Sequence, residues 1–261
     1  MSYFFDNEEE RFTGVRKVGF ARYKEILEGS WKGFFMVGFI NLLFFIPFAA
    51  GMVCAILSKS AVIALVSGAV GGAIAGPGIA CMYDNILRRM RDDKSDWWTC
   101  WKKAFIQNWK ASILPGIVQC MFVGMAVFSG ALMVWGATPP SIGTAALLIF
   151  GSLFLTMLLT VWWAQVVLFS QKTLIRLKNS LFFAIFHFGR VLGAAAVQVA
   201  WWLVMFFFLP WTAFVIPLLG VWYIQFLALS IIYRPLDKDF KIEDQIREAF
   251  PGTLPEEEYR P

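Results

Sequence analysis

Polar and apolar positions are segregated into long blocks along this chain. Between Lys32 and Asp84 the only charged residue is Lys59, and the stretches from Lys110 to Lys172 and from Arg190 to Arg234 hold none. Each block runs to roughly 43 to 61 residues, whereas one helical crossing of a bilayer takes about 20 at 1.5 Å per residue. Each block is therefore long enough for two crossings. The pattern predicts an all-α, polytopic membrane helix bundle of six spans in three hairpins, at about 33–58, 61–83, 112–136, 142–170, 191–209 and 211–233. The expected turns have breaker chemistry: Leu57-Ser58-Lys59-Ser60, Thr138-Pro139-Pro140-Ser141 and Leu209-Pro210-Trp211.

Charge then sets orientation. Of the 23 lysines and arginines, 22 fall in segments that this arrangement puts on one side, with Lys59 alone on the other. The positive-inside rule assigns the crowded side to the cytoplasm, with both termini there. The chain divides into a cytoplasmic amphipathic segment 1–32, a six-span domain 33–233 and a cytoplasmic tail 234–261. Trp97, Trp101, Phe105 and Trp109 recur every four residues among lysines, which predicts an amphipathic helix at the headgroups. The same device is expected around Trp31 and around Phe182, Phe183 and Phe186.

Composition agrees with the pattern. At 59% hydrophobic and 16% charged, with 27 Phe and 12 Trp, the chain carries more apolar surface than a soluble core absorbs. The formal charge of +5 is dispersed between apolar runs, which favours membrane lipids over nucleic acid as partner. No apolar run in the first 32 residues reads as a cleavable signal. Cys54, Cys81, Cys100 and Cys120 lack CxxC spacing and read as packing residues.

The apolar runs are not featureless. Asn41, Gln119 and Gln198 lie eight or nine residues inside the cation that opens each odd-numbered span. Gln165 and Gln225 lie at matching depth before Lys172 and Arg234, and Gly76-Pro77 occupies that depth in the second span. The shared level is roughly 10 to 14 Å from the cytoplasmic boundary. Pro77 frees the carbonyl of Ala73 and reads as a helix break. The five amides are either interhelical glue or the lining of a small polar site. Gly68, Gly72 and Gly76 form a doubled GxxxG, a face that admits another helix at close range in the bundle or a dimer.

Chemistry-bearing motifs are sparse. The single histidine, His187, stands among phenylalanines and reads as an interfacial residue. No Walker loop, dinucleotide fingerprint or metal-ligand spacing occurs, so no metal, no cofactor and no catalytic residue is expected. Asp84, Asp92, Asp93 and Asp96 alternate with Arg88, Arg89, Arg91 and Lys94, a pattern expected of a solvated charge run. In the tail, Ile242, Ile246 and Phe250 describe an amphipathic stretch that could dock on the cytoplasmic face.

The block Gly76-Pro77-Gly78-Ile79-Ala80-Cys81-Met82-Tyr83, followed by a charged turn and Ala104-Phe105-Ile106-Gln107-Asn108-Trp109-Lys110, resembles the YesL-like family of bacterial membrane proteins. Trp109 stands where that family usually has Phe. The resemblance implies a multi-pass protein of the bacterial plasma membrane, without established catalytic residues and often associated with carbohydrate uptake. The expected role is a non-enzymatic accessory component that contacts a transporter subunit or a second copy of itself. The alternative is a small-solute or lipid facilitator using the amide level.

Overall fold

The computed structural model describes residues 20–249 except 92, 94, 136–140, 210 and 213. Among the described residues the chain is helical and holds no strand: α1 (Phe20–Ser58), α2 (Ala61–Met90), α3 (Trp97–Trp135), α4 (Ile142–Leu168), α5 (Thr173–Phe186), α6 (Phe188–Phe207), α7 (Trp222–Phe240) and α8 (Ile242–Ala249), with a π-helical turn at Ile216–Gly220. Five of these, α1 to α4 and α6, are long and apolar enough to cross a membrane. Their number and apolarity support a membrane protein.

The α1–α2 reversal shows how local chemistry sets the path. Lys59 takes a left-handed conformation (φ 53°). Its N–H donates to the Ile56 carbonyl and that of Ser60 to the Ala55 carbonyl, the Schellman pairing that closes a helix. Ser60 then caps α2 by accepting from the Ile63 N–H at 3.4 Å. The segments expected to form the Thr138-Pro139-Pro140 turn, the first 19 residues and the Pro255-Glu256-Glu257-Glu258 tail lie outside the described residues.

Two readings of the sequence are corrected. Pro77 does not break α2, which runs unbroken from Ala61 to Met90. One hydrogen bond is lost, and the tight packing of α2 against α1 and α3 holds the flanking turns in line. The Trp97 to Trp109 stretch is not a separate surface helix but the opening of the 39-residue α3. α7 continues past residue 233 and carries Arg234, Asp237, Lys238 and Asp239 within its last turns. The segment expected as a sixth span contributes only Trp222 to Tyr233 as regular apolar α-helix, about 18 Å of rise, preceded by the π turn and irregular chain.

The main core gathers residues of α2, α4 and α7, and reaches Phe34 and Val37 of α1 and Ala194 and Ala195 of α6. Ile242 and Ile246 of α8 belong to it, so the docked tail is part of the core. A smaller cluster of Met52, Ala55, Ala64 and Phe128 lies toward the Lys59 turn.

Candidate functional site

Asn41, Gln165, Gln198 and Gln225 are buried and Gln119 is partly so, and four of the five amides are engaged with side chains of neighbouring helices. Gln119 of α3 accepts from the Trp163 indole N–H at 2.6 Å. Gln225 of α7 accepts from the Tyr83 hydroxyl at 2.7 Å. Gln198 of α6 donates to the Thr160 hydroxyl at 2.8 Å, and Gln165 of α4 donates to the Ser180 hydroxyl of α5 at 3.0 Å. These bonds tie α2 to α7, α3 to α4, α6 to α4 and α4 to α5. A side-chain hydrogen bond links Tyr83 to Thr160, and the Tyr83 ring lies 6.1 Å from that of Trp163, so Gln119, Gln198 and Gln225 gather about Tyr83, Thr160 and Trp163 while Gln165 reaches Ser180. Each makes a bond between helices, and such a bond is worth about 1 kcal/mol.

Asn41 is the exception. It is fully buried, and neither amide atom has a hydrogen-bond partner among the described residues. Its Oδ1 lies against Gly78, one residue beyond Pro77, close enough that a Cβ on Gly78 would sit 2.9 Å from it.

Gly68, Gly72 and Gly76 face α3 inside the same chain. A Cβ on Gly68 would lie 2.6 Å from the Met121 Cα, one on Gly72 would strike the Gly116 carbonyl, and one on Gly76 would strike the Ser112 carbonyl. Gly116 reciprocates from α3, so two helix backbones touch where side chains normally keep them apart. Gly71, one residue away, faces the backbone of Phe48 in α1.

The charged turn after α2 is the largest departure from expectation. Asp84, Arg88, Arg91 and Asp93 are 0 to 2% exposed, so this is a buried knot and not a solvated run; Asp92 lies outside the described residues. Arg88 Nε donates to Asp84 at 2.8 Å and Nη1 to Asp93 at 3.0 Å. Asp93 also accepts from the Ser95 hydroxyl and N–H. Burial pushes the Asp93 carboxyl up, but the Ser95 donors and the Arg88 charge outweigh it and hold it below the usual carboxylate range. Burial, with Arg88 nearby, brings Arg91 down to about 10, opposed by the neighbouring Tyr233, Glu243 and Asp93. Arg91 thus remains a cation at neutral pH. Glu243 accepts from the Tyr233 hydroxyl at 2.6 Å, and the Glu243 N–H donates to Asp237. The knot joins the end of α2 to α7 and α8. Asp96, by contrast, is exposed and caps α3 through the Thr99 N–H.

The interfacial aromatics separate into two groups. Trp31 and Trp109 are about half exposed, each with the following lysine over its own ring. Trp97 is partly buried against Gly33. Trp101 turns inward, 8% exposed and stacked between Trp98 and Phe105 at 5.4 and 5.2 Å, which corrects its reading as an interface residue. It occupies the α3 face that meets Phe44 of α1 and Cys81 of α2. His187 pairs with Asp239 at 2.8 Å and rests on Phe183. All four cysteines are free, and no group of three or more potential metal ligands occurs among the described residues.

Comparison with known proteins gives no relative: no family model, curated protein or solved structure matches the chain.

Proposed function

We propose that this chain is a non-enzymatic, six-span protein of the bacterial plasma membrane, arranged as three hairpins with both termini in the cytoplasm. It acts through contacts with another membrane protein, such as a carbohydrate transporter, or with a second copy of itself. The observation that carries this reading is that Gln119, Gln165, Gln198 and Gln225 each hydrogen-bond a side chain of a neighbouring helix. With those groups committed, recognition falls to the outer surface, where Trp202, Phe207, Phe208, Trp211 and Phe214 are exposed in one stretch of sequence. The resemblance to the YesL-like family supports the transporter association, and the confinement of 22 of 23 basic residues to one side supports the topology. Purification in mild detergent followed by mass spectrometry tests the reading. Co-purification of a membrane protein, or a dimer, is expected; a strict monomer with nothing bound overturns it.

A second reading, a small-solute facilitator, is favoured by Asn41 alone. A fully buried amide without a partner costs about 1–3 kcal/mol, which a polar solute beside Pro77 would offset. It predicts that Asn41→Leu abolishes solute flux in proteoliposomes. A folded, more stable Asn41→Leu protein with unchanged flux rejects it.

A further inference from the structure

We propose that α8 is a releasable strap, and that the cradle it fills at the ends of α2 and α7 is a docking site for an acidic amphipathic segment of a partner protein. The natural occupant rests on the partner reading above. The cradle does not.

α8 is held by its seat and not by itself. It has eight residues, and an isolated helix shorter than about 12–15 is marginal in water. It is therefore either docked and helical or released and unfolded, which makes it a two-state element. Only one face is seated: Ile242, Glu243 and Ile246 are 0 to 5% exposed, whereas Lys241, Asp244 and Glu248 are exposed. The joint that lays the helix back is a single residue, Lys241, in the left-handed conformation (φ 50°). A side chain holds that conformation at a cost, which docking offsets and release removes.

The cradle has the chemistry of a carboxylate receptor. The Tyr233 hydroxyl of α7 donates to Glu243 at 2.6 Å, and Arg91, fully buried at the end of α2, stands beside the same carboxylate. Asp237 accepts from the Glu243 N–H at 2.8 Å, and the Phe240 carbonyl accepts from the Gln245 side chain at 2.8 Å. The seats of Ile242 and Ile246 belong to the main core, so the site pairs apolar slots with a cation and a hydroxyl donor. When α8 leaves, those receiving groups stay behind on α2 and α7. A segment that takes its place must bring a carboxylate between two apolar anchors, since an apolar segment alone would enclose Arg91 without the counter-charge that Glu243 supplies.

The test uses the full chain in detergent and a fluorescein-labelled peptide of residues 241–249. Ile246→Asp puts a charge into the seat and releases the strap while leaving α2 and α7 unchanged. Fluorescence anisotropy is expected to show the peptide binding Ile246→Asp at least about tenfold more tightly than wild type, whose cradle is filled by the tethered strap. A peptide carrying Glu243→Lys should bind Ile246→Asp at least about tenfold more weakly. If Ile246→Asp does not fold, the wild type serves: excess peptide should raise hydrogen exchange of the α8 amides at least about tenfold, and the Glu243→Lys peptide should not. Equal binding by the two proteins, or no difference between the two peptides, overturns the proposal and leaves the co-purification result untouched. A wild-type dimer that the peptide dissociates would overturn the foreign occupant and give the cradle to α8 of a second copy.

Discussion

Replacing Gly116 with alanine is expected to pry α2 from α3. The added Cβ would strike the Gly72 carbonyl oxygen and lie 2.8 Å from the Gly76 Cα and 3.2 Å from the Gly76 nitrogen. Every one of these atoms is backbone, so no side-chain rotation relieves the overlap. Ordinary contact begins at 3.4 Å, and 3.4 minus 2.8 leaves a separation of at least 0.6 Å to be made by moving a helix. A gap of about that size forfeits roughly a quarter to a half of the attraction at each contact it opens. The expected cost is about 1–3 kcal/mol, less the few tenths that alanine gains over glycine in a helix. Gly193→Ala is the control, since a Cβ there meets nothing within 4 Å. Denaturation of the detergent-solubilised proteins by SDS, followed by circular dichroism, reads the difference. Equal stability of Gly116→Ala and Gly193→Ala would refute the close approach of the two backbones. The double variant Gly72→Ala with Gly116→Ala should cost less than the sum, because the first separation makes room for the second.

Further outcomes follow from the knot and the turns. Arg88→Ala leaves Asp84 and Asp93 buried without their shared cation and should cost about 3–5 kcal/mol in the same denaturation assay; a loss below 1 kcal/mol would mean the group is wet. Asp93 has a folded pKa below its unfolded value of about 3.9, so its contribution is present above that pH and disappears as pH falls through the folded value. Thermal unfolding should therefore be insensitive to this group from pH 7 to about 4 and lose stability below, and Asp93→Asn should flatten that acid limb. Lys59→Gly should stabilise the α1–α2 turn by about 1 kcal/mol, since glycine takes the left-handed conformation without a Cβ penalty. An unchanged melting temperature would argue against the Schellman closure.

Much of the helical layout is legible in the sequence because hydrocarbon tolerates few compromises. Lys59 marks a reversal since it is the only charge in its block, and the glycines at 68, 72 and 76 share a face by spacing alone. The knot is not legible in this way, because alternating Asp and Arg read alike whether wet or enclosed. The signal that could have found it is the placement of Asp84, Arg88 and Arg91 on one helical face, together with Ile242 and Ile246, which needed a core to enter. The apolar arc of α5 is visible in its periodicity, but periodicity cannot say that this arc faces outward while Arg176 faces in. Trp101 was misplaced for a related reason: a four-residue aromatic repeat on the opening of a long helix serves packing as well as it serves an interface. The partners of the amides could not be read, since spacing along the chain gives an expected level but only packing chooses what each amide meets.

α3 runs for 39 residues, about 58 Å, without interruption, nearly twice the thickness of a bilayer's oily interior. A rod of that length does not stand alone. It is clamped to α2 over a length and not at one point, with Gly68 on Met121, Gly72 on Gly116, Gly76 on Ser112 and Cys81 on Trp101, so a load at any one level is shared between the two rods.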